Sequence, residues 1–176
     1  MSAEYSSLSK KKEYLKKVSL FKGLNDEQLQ HIIRAMIVLD FETGDFVMRE
    51  GETGTEIYIL LKGEIEISKS LVLPQWMQSA QKQEKSLLRL SEKHSPFFGE
   101  MSMFGEESTR EASIKATQFC QIACLKKENL LQEIEKDPAI GTHIYRNIAS
   151  ELVKRLRKAN KDILKLTTAF SLALEG

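Results

Sequence analysis

The sequence predicts an α+β fold, an antiparallel β-roll or jelly-roll-like barrel with an N-terminal helix, one short helix late in the roll and a long C-terminal helix. Two observations lead there. Apolar residues recur at helical spacing only at the two ends of the chain. Between Ile37 and Lys126 the pattern changes to short alternating or β-branched runs, with no helical stretch between them to carry parallel crossovers.

Leu8 to Ala35 reads as helix, with an Asn25-Asp26 cap and apolar Leu29, Ile32, Ile33 and Met36 at three- and four-residue steps. The lysines from Lys10 to Lys17 read as its solvated face. The runs IVLDF, DFVM, EIYILL, EIEIS, SLLRL, ASIKA and QIACL follow, parted by glycine turns at Gly44, Gly51, Gly54 and Gly63. A longer excursion between Ser68 and Leu87 carries Trp76, which either packs on the roll or is an exposed aromatic anchor for a partner. From Glu128 to Lys136 the helical rule returns, Asp137-Pro138 breaks it, and an amphipathic stretch runs from Ala139 to Leu174. Pro138 suits the first turn of that helix, where its missing N–H would be unpaired anyway. Ile144, Ile148, Leu152, Leu156, Ile163, Leu166 and Phe170 form its apolar seam, wide enough to pack on the roll and to pair with a second copy. About 36 residues at 1.5 Å give roughly 54 Å of helix, more than one small roll can cover.

With 176 residues and 41% apolar content, the chain can bury one good core and has no room for a second domain of ordinary size. A formal charge of +1 argues against a strongly basic nucleic-acid binder, and no apolar run approaches the roughly 20 residues needed to cross a bilayer. The opening MSAEYSSLSKKK has no apolar core of a signal peptide, so a cytoplasmic location is expected. Cys120 and Cys124 on one strand would lie roughly 13 Å apart, beyond disulfide reach, and read as core thiols. His31, His94 and His143 are too scattered to form a zinc set, and no nucleophile-base pair or catalytic carboxylate pair is apparent. Neither a metal, a cofactor nor an enzymatic activity is therefore expected.

The stretch FGEMSMFGEESTREASIKA, Phe98 to Ala116, carries the functional signal. With Gly99 and Glu100 opening a short helix over Met101 to Phe104, unpaired amides of Glu100, Met101 and Ser102 would face outward and accept a phosphate. Arg110 could meet the same phosphate with two parallel charge-assisted bonds. Glu100, an ionised acceptor, suits a ribose 2'-hydroxyl. Together they describe a ribose carrying a compact phosphate.

These residues resemble the cassette of the cyclic nucleotide-binding domains, the family shared by the bacterial catabolite activator, the regulatory subunits of protein kinase A and cyclic-nucleotide-gated channels. Gly99, Glu100 and Arg110 match its Phe-Gly-Glu, short helix and arginine, LFKGLNDEQLQHI at Leu20 to Ile32 looks like its opening helix, and GDFVMREGETGTEIYILLKGEIEI at Gly44 to Ile67 looks like its glycine-punctuated strands. The resemblance implies an N-terminal helical extension over 1–19, a nucleotide-binding roll over 20–136 and a lid and dimerisation helix over 137–176. It implies cyclic AMP or cyclic GMP as ligand, a homodimer through the C-terminal helix, and an unidentified effector protein. Asn160 stands beside Ala159 where the bacterial activator touches adenine; it either reads a purine edge or is an ordinary exposed helix asparagine. The chain stops at Gly176 with no recognition helix after the long helix, so a receptor domain without DNA binding is expected. The basic residues Arg146, Lys154, Arg155, Arg157, Lys158, Lys161 and Lys165 read most simply as its solvated face, with contact to a polyanion as the alternative.

One departure concerns the residue after the arginine, Glu111, followed by the expected Ala112. A carboxylate about 6 Å from a bound phosphate would cost roughly 3 kcal/mol at an effective dielectric near 20. Strand alternation offers the escape: with Arg110 aimed at the ligand, Glu111 faces solvent while its backbone N–H still serves the phosphate. The alternative is a degenerate cassette, in which Glu111 and Arg110 pair with each other or with neighbours, no nucleotide binds and the chain acts as a protein-interaction module.

Overall fold

The structure is a computed structural model that describes residues 8–71, 84–104 and 108–175. It consists of two antiparallel four-stranded sheets facing each other, flanked by helices, and the sheets do not close into a single barrel. In chain order the elements are α1 (Lys12–Leu15), a 3-10 turn at Ser19–Phe21, α2 (Asp26–Arg34), β1 (Met36–Phe41), β2 (Phe46–Met48), β3 (Ile57–Lys62), β4 (Glu64–Ser70), β5 (Glu84–Ser91), a 3-10 turn at Glu92–His94, β6 (Phe97–Phe98), α3 (Glu100–Phe104), β7 (Ser113–Ala116), β8 (Cys120–Leu125), α4 (Lys127–Lys136) and α5 (Pro138–Glu175). One sheet has the order β1-β8-β3-β6 and the other β2-β7-β4-β5. Every strand read from the sequence is present. The two-residue β6 is too short to show a period.

The continuous apolar run of β3 has a simple cause. Its residues alternate between two buried environments: Ile57, Ile59 and Leu61 pack against the helical layer, while Tyr58 and Leu60 face the space between the sheets. Strand β8 does the same, with Ala123 and Leu125 toward the helices and Cys120, Ile122 and Cys124 inward. Both cysteines are free buried thiols, and burial pushes the Cys124 thiol up to about 11.

The helix expected over Leu8 to Ala35 is not continuous. Leu15, Val18, Leu20 and Phe21 are all buried, a set that no straight helix presents on one side, so the chain turns at Ser19–Phe21 and again at Gly23, whose φ is +92°. Asn147 of α5 fastens this turn by donating to the carbonyls of Leu20 at 2.9 Å and Lys22 at 2.8 Å. Helix α2 begins where its cap was read: Asn25 and Gln28 bond each other's backbone amides. Pro138 opens α5, and Asp137 caps it by accepting from the amide of Ala139 at 3.0 Å. The Ser68 to Leu87 excursion lies partly, and Trp76 wholly, outside the described residues.

The inner faces of the two sheets hold one apolar cluster, and the helices pack a second against the outer face of the β3-containing sheet. Helix α5 contributes Ile140, Ile144 and Ile148 to the second, after which its apolar side chains are uncovered. Its 38 residues correspond to about 57 Å.

Candidate functional site

Strand β6 pairs with β3, so that Phe98 lies opposite Tyr58 and their rings stack at 5.6 Å. The chain then turns at Gly99, where φ is +87° and where a Cβ would stand 2.6 Å from the Glu56 carbonyl oxygen and 2.8 Å from Arg110 Nη1. Only glycine meets both conditions. Helix α3 starts at the next residue, with Glu100, Ser102 and Met103 inward and Met101 and Phe104 outward. The returning segment pairs with the loop before β3. Thr109 bridges Thr53, the Arg110 amide donates to the Glu52 carbonyl at 2.8 Å, and the Gly51 amide donates to the Arg110 carbonyl at 2.9 Å.

This pairing carries Arg110 into the interior, where it is 3% exposed. Its Nη1 donates to the carbonyls of Glu56 at 3.0 Å and Gly99 at 3.1 Å and to Ser102 Oγ at 2.7 Å. Its Nη2 donates to the carboxylate of Glu56 at 2.6 Å. The guanidinium also lies over the Tyr58 ring, 5.4 Å from its centroid. A lysine has neither the planar fork nor the number of fixed donors for this set.

Glu100 is 1% exposed. Its Oε1 accepts from Nη1 of Arg155 on α5 at 2.5 Å, and Arg155 Nη2 reaches the Phe97 carbonyl at 3.3 Å. Among the described residues Oε2 is buried without a hydrogen-bond partner. Burial pushes the Glu100 carboxyl above its ordinary value, against the opposing pull of the Arg155 charge.

The fold therefore brings Gly99, Glu100, Ser102 and Arg110 together. Met101 and Glu111 point away; the Glu111 side chain is 57% exposed and lies 3.4 Å from Lys69 Nζ. Ala112 is half-buried beside β7. Asn160 is exposed on α5, and no bond among the described residues ties it to the cassette. The expected solvated basic face of α5 needs a correction at Arg155, which is bonded to Glu100 instead. Sequence reasoning missed Arg155, Glu56 and Tyr58. Glu56 and Tyr58 sit in an apolar strand run with no motif of their own, and Arg155 is one of several cations on one helix. No group of three or more metal-binding side chains occurs among the described residues, and no helix there is long and apolar enough to cross a membrane.

Comparison with known proteins agrees with this architecture. The chain is 28% identical over 171 residues to the human cGMP-dependent protein kinase 2, a match covering 93% of this chain and 21% of the kinase. It is 25% identical over 154 residues to the CRP-like cAMP-activated global transcriptional regulator of Mycobacterium tuberculosis, covering 88% of this chain and 62% of that protein. The chain thus spans about a fifth of the kinase and less than two thirds of the regulator. The solved cyclic nucleotide-binding domain from Methylobacillus flagellatus shares the fold, with a TM-score of 0.73 and 21% identity over 91% of this chain and 84% of that one. The profile of the cyclic nucleotide-binding domain matches residues 38–137, and the chain belongs to that family.

Proposed function

We propose that this chain is a receptor for a cyclic purine mononucleotide, cyclic AMP or cyclic GMP, and that it signals through its C-terminal helices without chemistry of its own. The observation that carries the reading is the buried Oε2 of Glu100, an acceptor with no partner among the described residues, set in the same cassette as the buried guanidinium of Arg110. A ribose 2'-hydroxyl supplies the donor that Glu100 lacks, and the cyclic phosphate supplies an anion for Arg110. Gly99 and the amides that open α3 at Glu100, Met101 and Ser102 would line the phosphate side, with Glu111 and Ala112 contributing backbone rather than side chains. The regions 1–19, 20–136 and 137–176 keep their proposed roles as extension, binding roll and lid.

Arg155 supports the signalling part. It joins α5 to the carboxylate that would read the ribose, so a ligand hydroxyl sharing Glu100 alters the helix contact directly. A differential affinity of about 1 to 3 kcal/mol between two helix positions suffices to shift the population five- to 150-fold. Beyond the roll, Leu152, Leu156, Ile163, Leu166 and Phe170 continue α5 as an exposed 3-4 seam that a second copy would cover, with Asn160 beside it, able to reach a base. The output would pass to an effector protein.

Isothermal calorimetry with cyclic AMP and cyclic GMP tests the reading on the wild type and on Arg110→Leu. Removing charge-assisted bonds worth about 1.5 to 3 kcal/mol should weaken binding about ten- to a hundredfold. Equal affinity in the two proteins would refute the phosphate role of Arg110, and no binding by the wild type would favour the interaction-module alternative, for which the existing Arg110–Glu56 pair speaks.

A further inference from the structure

We propose that Glu56 is an internal stand-in for the ligand phosphate on Arg110, and so is the residue that sets the affinity of this site. The inference rests on the cyclic-nucleotide reading. One residue engages the guanidinium twice, through its carbonyl to Nη1 at 3.0 Å and through its carboxylate to Nη2 at 2.6 Å. The two contacts have different fates when an anion arrives. Nη1 is fixed by carbonyls of Glu56 and Gly99 and by Ser102 Oγ, groups held by the backbone and by the first turn of α3. Nη2 is held by a side chain that is 29% exposed, whereas Arg110 itself is 3% exposed. The carboxylate therefore has a route to water, and the arginine does not.

A carboxylate and a phosphate oxygen make the same charge-assisted bond to Nη2, and two anions on one guanidinium edge repel each other. Binding of the phosphate consequently requires the Glu56 side chain to leave Nη2, while the Nη1 bonds keep Arg110 in place. Space does not allow Arg110 to move instead. A Cβ on Gly54 would lie 2.6 Å from Nη2, and one on Gly99 would lie 2.8 Å from Nη1, so the guanidinium is wedged between two glycine backbones. The other acidic neighbour, Glu111, points to solvent and bonds Lys69, so it does not compete for Arg110. In the ligand-free protein Glu56 also spares a buried cation from being left uncompensated. Glu56 thus serves the free state and opposes the bound state.

Calorimetric titration of Glu56→Gln with cyclic AMP and cyclic GMP, at fixed ionic strength beside the wild type, tests the proposal. The amide retains the shape but not the charge, and binding should tighten about ten- to a hundredfold, the equivalent of one charge-assisted bond no longer broken. Adenosine and guanosine, which carry no phosphate, should bind both proteins alike, and adding Arg110→Leu should erase the gain. Glu56→Asp, one methylene short of Nη2 with the charge kept, should gain in the same direction and serves if the glutamine variant does not fold. Equal affinity of wild type and variants would overturn the role of Glu56 while leaving the nucleotide reading intact. Weaker binding in the variants would overturn it too, by making Glu56 a support for Arg110. No binding of either cyclic nucleotide by any of these proteins would sink both.

Discussion

Truncating Arg155 should destabilise the protein, and by an amount that grows with pH. In the wild type the Glu100 carboxylate is 1% exposed and accepts from Arg155 Nη1 at 2.5 Å. Arg155→Ala leaves that carboxylate without its counter-charge. Breaking a fully buried pair costs about 3 to 5 kcal/mol, and a hydrogen bond to a charged group about 1.5 to 3. The Arg155 side chain is 44% exposed, so water screens part of its charge and the lower range applies, about 2 kcal/mol at neutral pH. For a protein of this size that lowers Tm by about 4 to 8 °C. The sign of the pH dependence follows from linkage. Burial already raises the folded-state value of Glu100 above its unfolded one, so the ionised carboxylate opposes folding at high pH and the opposition fades as pH falls through the folded value. Without Arg155 that value rises further. There is then a pH interval above the ordinary carboxylate range in which the variant's Glu100 is protonated and the wild type's is ionised. Within it the variant binds the extra proton, and the stability gap narrows as pH falls. Thermal melts of both proteins from pH 8 down to pH 5, followed by far-ultraviolet circular dichroism, measure the gap. A gap absent at pH 8, or one that widens as pH falls, would show that the Arg155–Glu100 contact does not hold the buried carboxylate and would remove the proposed link between α5 and the cassette.

Glu111→Ser should change cyclic nucleotide affinity no more than a few-fold, because the carboxylate faces solvent beside Lys69 and not the cassette; a hundredfold gain in calorimetry would mean that it turns toward the ligand. Light scattering should give twice 20.1 kDa for the wild type, and Ile163→Glu, which places a charge in a seam residue 61% exposed in the single chain, should shift it toward monomer. A wild-type monomer at micromolar concentration would instead leave the distal half of α5 for another protein.

What the sequence discloses and what it conceals separates by distance along the chain. Strands β1 to β5, β7 and β8 are legible because each carries its own alternation or β-branched run between glycines, and α2 and α5 because their caps, Asn25 and Asp137-Pro138, are local. The cassette is legible for the same reason: Gly99, Glu100 and Arg110 fall within one short stretch. The interrupted N-terminal helix is not, because the turn at Ser19–Phe21 is held by Asn147, 127 residues from Leu20. The partners of the cassette are hidden likewise. Arg155 is 55 residues from Glu100, and Glu56 is 54 residues from Arg110. The concern that sequence raises, a carboxylate competing for the phosphate arginine, is sound chemistry attached to the nearest acidic residue. The bend before β7 turns that residue, Glu111, toward solvent and Lys69. The loop before β3, paired with the segment around Thr109, delivers a different carboxylate to the same guanidinium. A motif therefore names the groups that would meet a ligand. The tertiary fold decides which charges those groups already hold, and these in turn decide how tightly the ligand can be held.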